Sequence, residues 1–315
     1  MRQRVMCAFL AFLTVAVSAG RVSAADAPAF TRQEDVIYGR KFGMALTMDI
    51  FTPKQNANGA AVVFVVSGGW FSNHQGINPQ FFTEFLNRGY TLFAVVHGSQ
   101  PKFTIPEILE DMHRALRSIR HHARDYKIDP SRIGITGLSA GGHLSLMQGV
   151  GGNEGNAKAK DLVDKESSRV QAVACFFPPT DFLNYGEPGK DALGRGTLVA
   201  FKAPFDFQDF DRKLNAFVLI TDEEKRRAIG KQISPVYHVT KESPPMLIIH
   251  GNADKLVPIQ QAEIMIAKLK EADVPAELVV KPGAQHGWPA MDKDLKTIAD
   301  WFDKYLVKKS PSGKL

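Results

Sequence analysis

Residues 135–142 read ITGLSAGG, and they decide the fold. The run from Ile133 to Leu138 has the β-branched character of a strand, and SAGGHLSLMQGV (139–150) has that of a helix. Between them stands Gly137-x-Ser139-x-Gly141. A strand that enters a helix through so tight a turn pushes the hydroxyl of its central serine out at the strand's C-terminal end. The serine pays with a strained backbone, and side chains at 137 and 141 would collide with the neighbouring strand and helix. A serine hydroxyl is a poor nucleophile near neutral pH, so this reading needs a general base and an acid to orient it.

The flanking segments supply a scaffold for such a site. AAVVFVV (60–66) and TLFAVV (91–96) are continuous apolar runs, suited to strands buried on both faces. VQAVACFF (170–177), MLIIHG (246–251) and AELVVKPG (276–283) are further strands. Helical patterns fall between them at 79–89, 106–125, 259–272 and 294–306. In the second of these, Ile108, Met112, Ala115, Ile119 and Ala123 form one stripe behind Pro106. Residues 34–53 alternate about GRKFG and predict an opening antiparallel hairpin. Strands alternating with helices imply a mostly parallel sheet of about eight strands with helices on both faces. Residues 180–235, after the sixth strand, break this rhythm, with seven aromatic side chains from Phe182 to Phe217 and no strand pattern. Such an insert is either a lid over the site or a purely structural excursion.

Two later strands bring the partners that Ser139 needs. Asp254 follows MLIIHG, and His286 follows AELVV, so both lie in loops at strand C-termini, on the edge that carries Ser139. The order Ser139, Asp254, His286 is that of nucleophile, acid and base in this architecture. Gly68-Gly69 follows the buried strand 60–66, where the amides of Gly69 and Trp70, with that of Ala140 after the serine, could receive a developing oxyanion. Other polar residues suit supporting roles. His143 packs or hydrogen-bonds beneath the site, His250 supports the Asp254 loop, and His97 lines the pocket. His121 and His122 belong to a helix surface, and Asp222 caps a helix.

Composition narrows the class further. The 315 residues are 44% hydrophobic and carry a net charge of +6. MRQR followed by an apolar run and VSAA reads as a signal peptide over residues 1–25, cut near Ala24 or Ala25. Its removal takes away Arg2, Arg4 and Arg21 and lowers the net charge from +6 to +3. Neither a basic stripe with interleaved aromatics, nor His/Asp/Glu groups at metal-ligand spacing, nor a glycine-rich phosphate loop is visible in the sequence. The expectation is therefore no nucleic acid, no metal, no cofactor and no stable membrane insertion after cleavage. Cys175, left alone once Cys7 is removed, reads as a small buried hydrophobe.

VIYGRKFGMALTMDIFTP, SGGW, DPSRIGITGLSAGGHL, SPPMLIIHGNADKLVP and PGAQHGW together resemble the α/β-hydrolase superfamily. The similarity is to the bacterial esterase and lipase branch that includes hormone-sensitive-lipase-like enzymes and acetyl-xylan or feruloyl esterases. The resemblance implies one α/β-hydrolase domain over 26–310, with Ser139 as nucleophile, His286 as base and Asp254 as its partner. It also implies Gly69, Trp70 and Ala140 as oxyanion donors, and no cofactor. One departure stands out: the family usually has His-Gly-Gly where this chain has Ser67-Gly68-Gly69. The expected activity is that of an exported serine esterase on small or polysaccharide-linked carboxylic esters of short acyl chain. The alternatives are an amide hydrolase of arylformamidase or peptidase type on the same residues, and a non-catalytic binding protein on the same fold.

Overall fold

The computed structural model describes residues 29–307; the segment read as a signal peptide lies outside them. Ten strands are present among the described residues. Eight form one sheet: β1 (Phe30–Lys41), β2 (Met44–Pro53), β3 (Ala61–Val66), β4 (Thr91–Val96), β5 (Ile133–Leu138), β6 (Ala172–Phe176), β9 (Met246–Gly251) and β10 (Ala276–Lys281). Their spatial order is β1-β2-β4-β3-β5-β6-β9-β10. The β1–β2 hairpin is antiparallel, β2 pairs antiparallel with β4, and every other neighbouring pair is parallel. The sheet is the expected one, of α/β-hydrolase type.

Alternate side chains of the central strands feed two separate cores. Val63 and Val65 of β3 pack on one face with Ile108, Met112, Ala115 and Ile119 of α2 (Ile105–His121), so the stripe read from sequence is the buried one. Val62, Phe64 and Val66 pack on the other, with Ile298, Trp301 and Phe302 of the last helix (Leu295–Leu306). Cys175 is fully buried in β6.

Three segments differ from the sequence reading. β1 begins at Phe30 rather than near Glu34, extending along β2 through two register shifts. The helix expected over 79–89 is a 3₁₀ turn, Pro79–Phe82, running into a single α-turn, α1 (Thr83–Asn87). The insert holds a small antiparallel hairpin of its own, β7 (Gln208–Asp211) and β8 (Ala216–Leu219), followed by α4 (Glu223–Gln232). Asp222 caps α4, accepting from the Lys225 amide at 2.8 Å, as its sequence context suggested.

The inner part of the insert is built into the core. Phe182, Tyr185, Phe205 and Phe207 are buried, and the Tyr185 hydroxyl donates to the Leu256 carbonyl at 2.9 Å. Phe210 and Phe217, on the hairpin, are about half exposed or more.

Candidate active site

The turn from β5 into α3 (Ala140–Gly151) has the strain its sequence implied. Ser139 sits at φ 52°, ψ −116°, a conformation that side-chain-bearing residues rarely hold. Its amide donates to the Phe176 carbonyl of β6 at 3.0 Å, and its own carbonyl accepts from the His143 amide at 2.9 Å. The glycines make that turn possible. A Cβ on Gly137 would lie 2.5 Å from the Gly141 carbonyl carbon, and one on Gly141 would lie 2.8 Å from the Val65 carbonyl oxygen. Both obstacles are backbone, so neither can move aside cheaply.

The structure brings Ser139, His286 and Asp254 into one hydrogen-bonded row. The Ser139 hydroxyl lies 2.9 Å from His286 Nε2, and His286 Nδ1 lies 2.7 Å from Asp254 Oδ2. Because a carboxylate only accepts, Nδ1 carries the proton and Nε2 is free to accept from the serine. The Asp254 side chain is fully buried, and its other oxygen accepts from the amides of Leu256 and Val257, both at 2.9 Å. Burial pushes its carboxyl upward. Hydrogen bonds from His250, His286 and the Val257 amide outweigh that and hold it well below the usual carboxylate range. His250 sits where the sequence put it, with Nε2 2.8 Å from the Val257 carbonyl and 3.5 Å from Asp254. The Phe177 ring packs on the His286 imidazole with centroids 4.4 Å apart.

Beside this row the chain turns after β3. Gly68 and Phe71 exchange two backbone hydrogen bonds, of 3.0 and 2.9 Å, around Gly69 (φ 55°) and Trp70 (φ 60°). Two central residues at positive φ are what a tight I′ turn demands. A Cβ at Gly69 would run into the Phe201 ring of the insert. Among the described residues neither the Gly69 nor the Trp70 amide donates to another group, and Ala140 is the first residue of α3, whose amide has no acceptor within the helix. Trp70 tolerates its backbone because its side chain is anchored. The indole is 2% exposed, lies edge-on to Phe205, and donates to His143 Nδ1 at 3.2 Å. His143 Nε2 in turn donates to the Ile233 carbonyl at 2.7 Å, beneath the site as expected.

His97 differs from its sequence reading. It is buried, 3% exposed, and reaches the loop after β3 rather than the pocket. Its Nδ1 donates to the Gly98 carbonyl at 2.8 Å, which leaves Nε2 to accept from the Ser67 hydroxyl at 2.9 Å. β3 and β4 pair with Val66 opposite Val96, so the next residues, Ser67 and His97, emerge side by side. The imidazole absent from position 67 is thus supplied from the neighbouring strand. VVSGG (65–69) and VVHGS (95–99) carry the signal, once the two strands are known to be parallel neighbours in register. His121 and His122 are part-exposed on and just beyond α2, away from these residues.

Among the described residues one group has the spacing to hold a metal: Asp35, Asp49 and His74. Sequence spacing did not reveal it, because only the β1–β2 register joins Asp35 to Asp49. Arg32 already donates to Asp49 Oδ2 at 2.8 and 2.6 Å, so the buried carboxylate has its counter-charge. The group lies at the sheet edge, with β4 and β3 between β2 and β5, and is separate from Ser139. No helix of the described residues is long and apolar enough to cross a membrane.

Known proteins share this fold. A solved truncated carbohydrate esterase from gut microbiota superposes with a TM-score of 0.70 at 27% identity, covering 89% of this chain and 98% of that one. Esterase 2 of Thermogutta terrifontis, solved as phosphonylated by sarin, gives 0.67 at 25% identity over 88% of this chain and 96% of its own. In sequence, a probable carboxylic ester hydrolase of Mycobacterium tuberculosis, LipM, is 28% identical over 264 residues, 82% of this chain. This chain spans only 57% of the length of LipM. The BD-FAE family model matches residues 48–269, from within β2 to within α5 (Gln260–Glu271), a span that holds Ser139 and Asp254. The chain belongs to the BD-FAE family of α/β-hydrolases.

Proposed function

We propose that the protein is an exported serine esterase that hydrolyses short-acyl carboxylic esters, with acetyl or feruloyl groups on polysaccharide as its natural targets. The observation that carries this is the row Ser139 Oγ–His286 Nε2–Asp254, at 2.9 and 2.7 Å, standing beside amides that have no other acceptor. Ser139 attacks the ester carbonyl as its proton passes to His286 Nε2, and the buried Asp254 stabilises the imidazolium. The carbonyl oxygen becomes an oxyanion within reach of the amides of Gly69, Trp70 and Ala140. Collapse of the tetrahedral intermediate breaks the bond to the alcohol, which leaves with the proton from His286. An acyl group remains on Ser139. Water, deprotonated by the same imidazole, then attacks the acyl carbonyl, and the acid departs as the serine recovers its proton. The reading of residues 1–25 as a signal supports placing this chemistry outside the cytoplasm. The likeness to carbohydrate esterases and to an esterase phosphonylated by sarin favours an ester over an amide substrate and an activated serine.

Hydrolysis of p-nitrophenyl esters of increasing acyl length, with Ser139→Ala alongside, tests the proposal. The expected result is turnover that is fastest on the shortest acyl groups and falls by roughly 10⁴–10⁶ in kcat for the variant. Absence of serine-dependent turnover at every chain length would overturn it.

A further inference from the structure

A cleft of about 990 Å³ opens between the β1–β2 hairpin tip, the loop after β4 and the outer part of the insert. That volume is at the upper end of the ~300–1,000 Å³ usual for ligand sites. One wall is Phe42, 68% exposed at the hairpin tip, stacked on Phe103 with centroids 6.0 Å apart and planes 26° from parallel. The facing wall is Phe207 with Phe217, the latter 62% exposed on β8. Asp206, Gln208, Asp209 and Gln232 set polar groups among these rings.

Nothing in the ester-cleaving machinery uses these residues, yet the cleft adjoins it. Pro101 lines the cleft and follows Gln100, whose amide and side chain donate to the carbonyls of Trp70 (3.2 Å) and Gly69 (3.3 Å). From the other wall, Phe207 packs on Phe205, and Phe205 on Trp70. The cleft is therefore separated from the loop that would hold the oxyanion by one layer of residues, Gln100 on one side and Phe205 on the other.

We infer that this cleft binds a neutral oligosaccharide chain, the part of a glycan ester that extends beyond the bond being cut. The inference rests on the esterase reading for its purpose, but not for its test. Sugar rings have apolar C–H faces that lie flat on aromatic rings, and equatorial hydroxyls that donate to carboxylates and pair with amides. Rings on both walls with polar groups between them meet both demands at once. Asp206 and Asp209 keep acceptor capacity to spare, since their ion-pair partners, Lys202 and Lys225, are 3.9 Å away. Charge selects further. Three carboxylates, Glu107, Asp206 and Asp209, line the cleft against one ammonium, Lys102, which disfavours a uronate-rich chain.

The test is calorimetric titration of the full chain carrying Ser139→Ala, so that binding is read without turnover. The probes are neutral xylo-oligosaccharides of increasing length, beside oligogalacturonate as the charged competitor. Affinity is expected to rise with chain length for the neutral series and to be absent or weaker for the uronate. Phe42→Ala and Phe217→Ala, both at exposed positions, should each weaken binding about tenfold. Leu162→Ala, an exposed apolar residue outside the cleft, should not. No binding, binding indifferent to both phenylalanines, or preference for oligogalacturonate would each overturn the inference. An inactive wild type whose Ser139→Ala form still bound through Phe42 and Phe217 would sink the esterase reading and leave the cleft standing.

Discussion

Two turns of this molecule carry aromatic side chains near the same surface and are built in opposite ways. The loop after β3, residues 67–72, is held from every side. Gly68 and Phe71 pair with each other, the Ser72 hydroxyl donates to the Val66 carbonyl at 2.5 Å, Ser67 binds His97, and Trp70 binds His143. The β7–β8 hairpin is held mainly by its own ladder and by the edge-on pair Phe210–Phe217, with centroids 5.3 Å apart. The difference follows from what each must present. In the proposed function the first loop offers amides to a developing charge, which works only if the backbone cannot shift, and its buried polar network would meet that demand. A ring offered to a flat ligand needs area rather than a fixed backbone, so the second can stay exposed.

The buried network of the first loop has a consequence in acid, the largest effect expected to separate the two turns. Burial pushes both His97 and His143 down to about 4, as it does His113 of α2 outside this loop, so each stays neutral in the folded protein well below the pH at which a free histidine titrates. In the unfolded chain both take up protons near pH ~6.5. Below that pH the unfolded state binds protons that the folded state refuses, and stability falls as pH drops from about 6.5 to about 4, by up to ~3 kcal/mol for each histidine. Asp254, whose carboxyl is depressed, adds its own loss only below the ordinary carboxylate range. Urea midpoints measured between pH 7 and 4.5 should decline steadily, and the loop's share is the part of the decline that His97→Gln removes. A flat profile would mean that these imidazoles are not buried neutral, and the contrast between the turns would dissolve.

A smaller effect tests the hydrogen bond that replaces the family's histidine. Removing one oxyanion donor costs roughly 10²–10³ in kcat; a residue that only positions the loop should cost less, about tenfold. Ser67→Ala and His97→Ala are each expected to lower kcat by about that factor with little change in KM. The double variant should be no worse than either single one, because both remove the same interaction. Additive losses would show that Ser67 and His97 act separately.

The sheet and its row of polar residues were legible because burial left a pattern. β3, β4 and β9 are buried along nearly their whole length and appear in sequence as nearly unbroken apolar runs; Ser139 and Asp254 follow the ends of the buried strands β5 and β9, whereas His286 follows the edge strand β10, which is only partly buried. The His97–Ser67 contact was hidden for lack of register: only when Val66 is known to face Val96 do residues 30 apart become neighbours. The Asp35, Asp49 and His74 group was hidden in the same way. The insert hairpin failed for a different reason. QDFD (208–211) and AFVL (216–219) are largely exposed on both faces, so no buried side imposes an alternation that could be read.

That exposure makes the last and smallest prediction about the hairpin itself. Phe210 is 49% exposed, does not line the cleft, and touches the fold through its edge-on contact with Phe217. Edge-on aromatic pairs are worth ~0.5–1.5 kcal/mol when dry, and an exposed pair recovers only part of that. Phe210→Ser should therefore change unfolding stability by no more than about 0.5 kcal/mol, within the range of ordinary surface substitutions. The measurement is the urea midpoint at neutral pH. A loss well above ~1 kcal/mol would mean that the hairpin helps hold the insert against Trp70. The hairpin's rings would then belong to the framework that fixes the loop 67–72, and the two turns would be parts of one rigid structure instead of a fixed one and a free one.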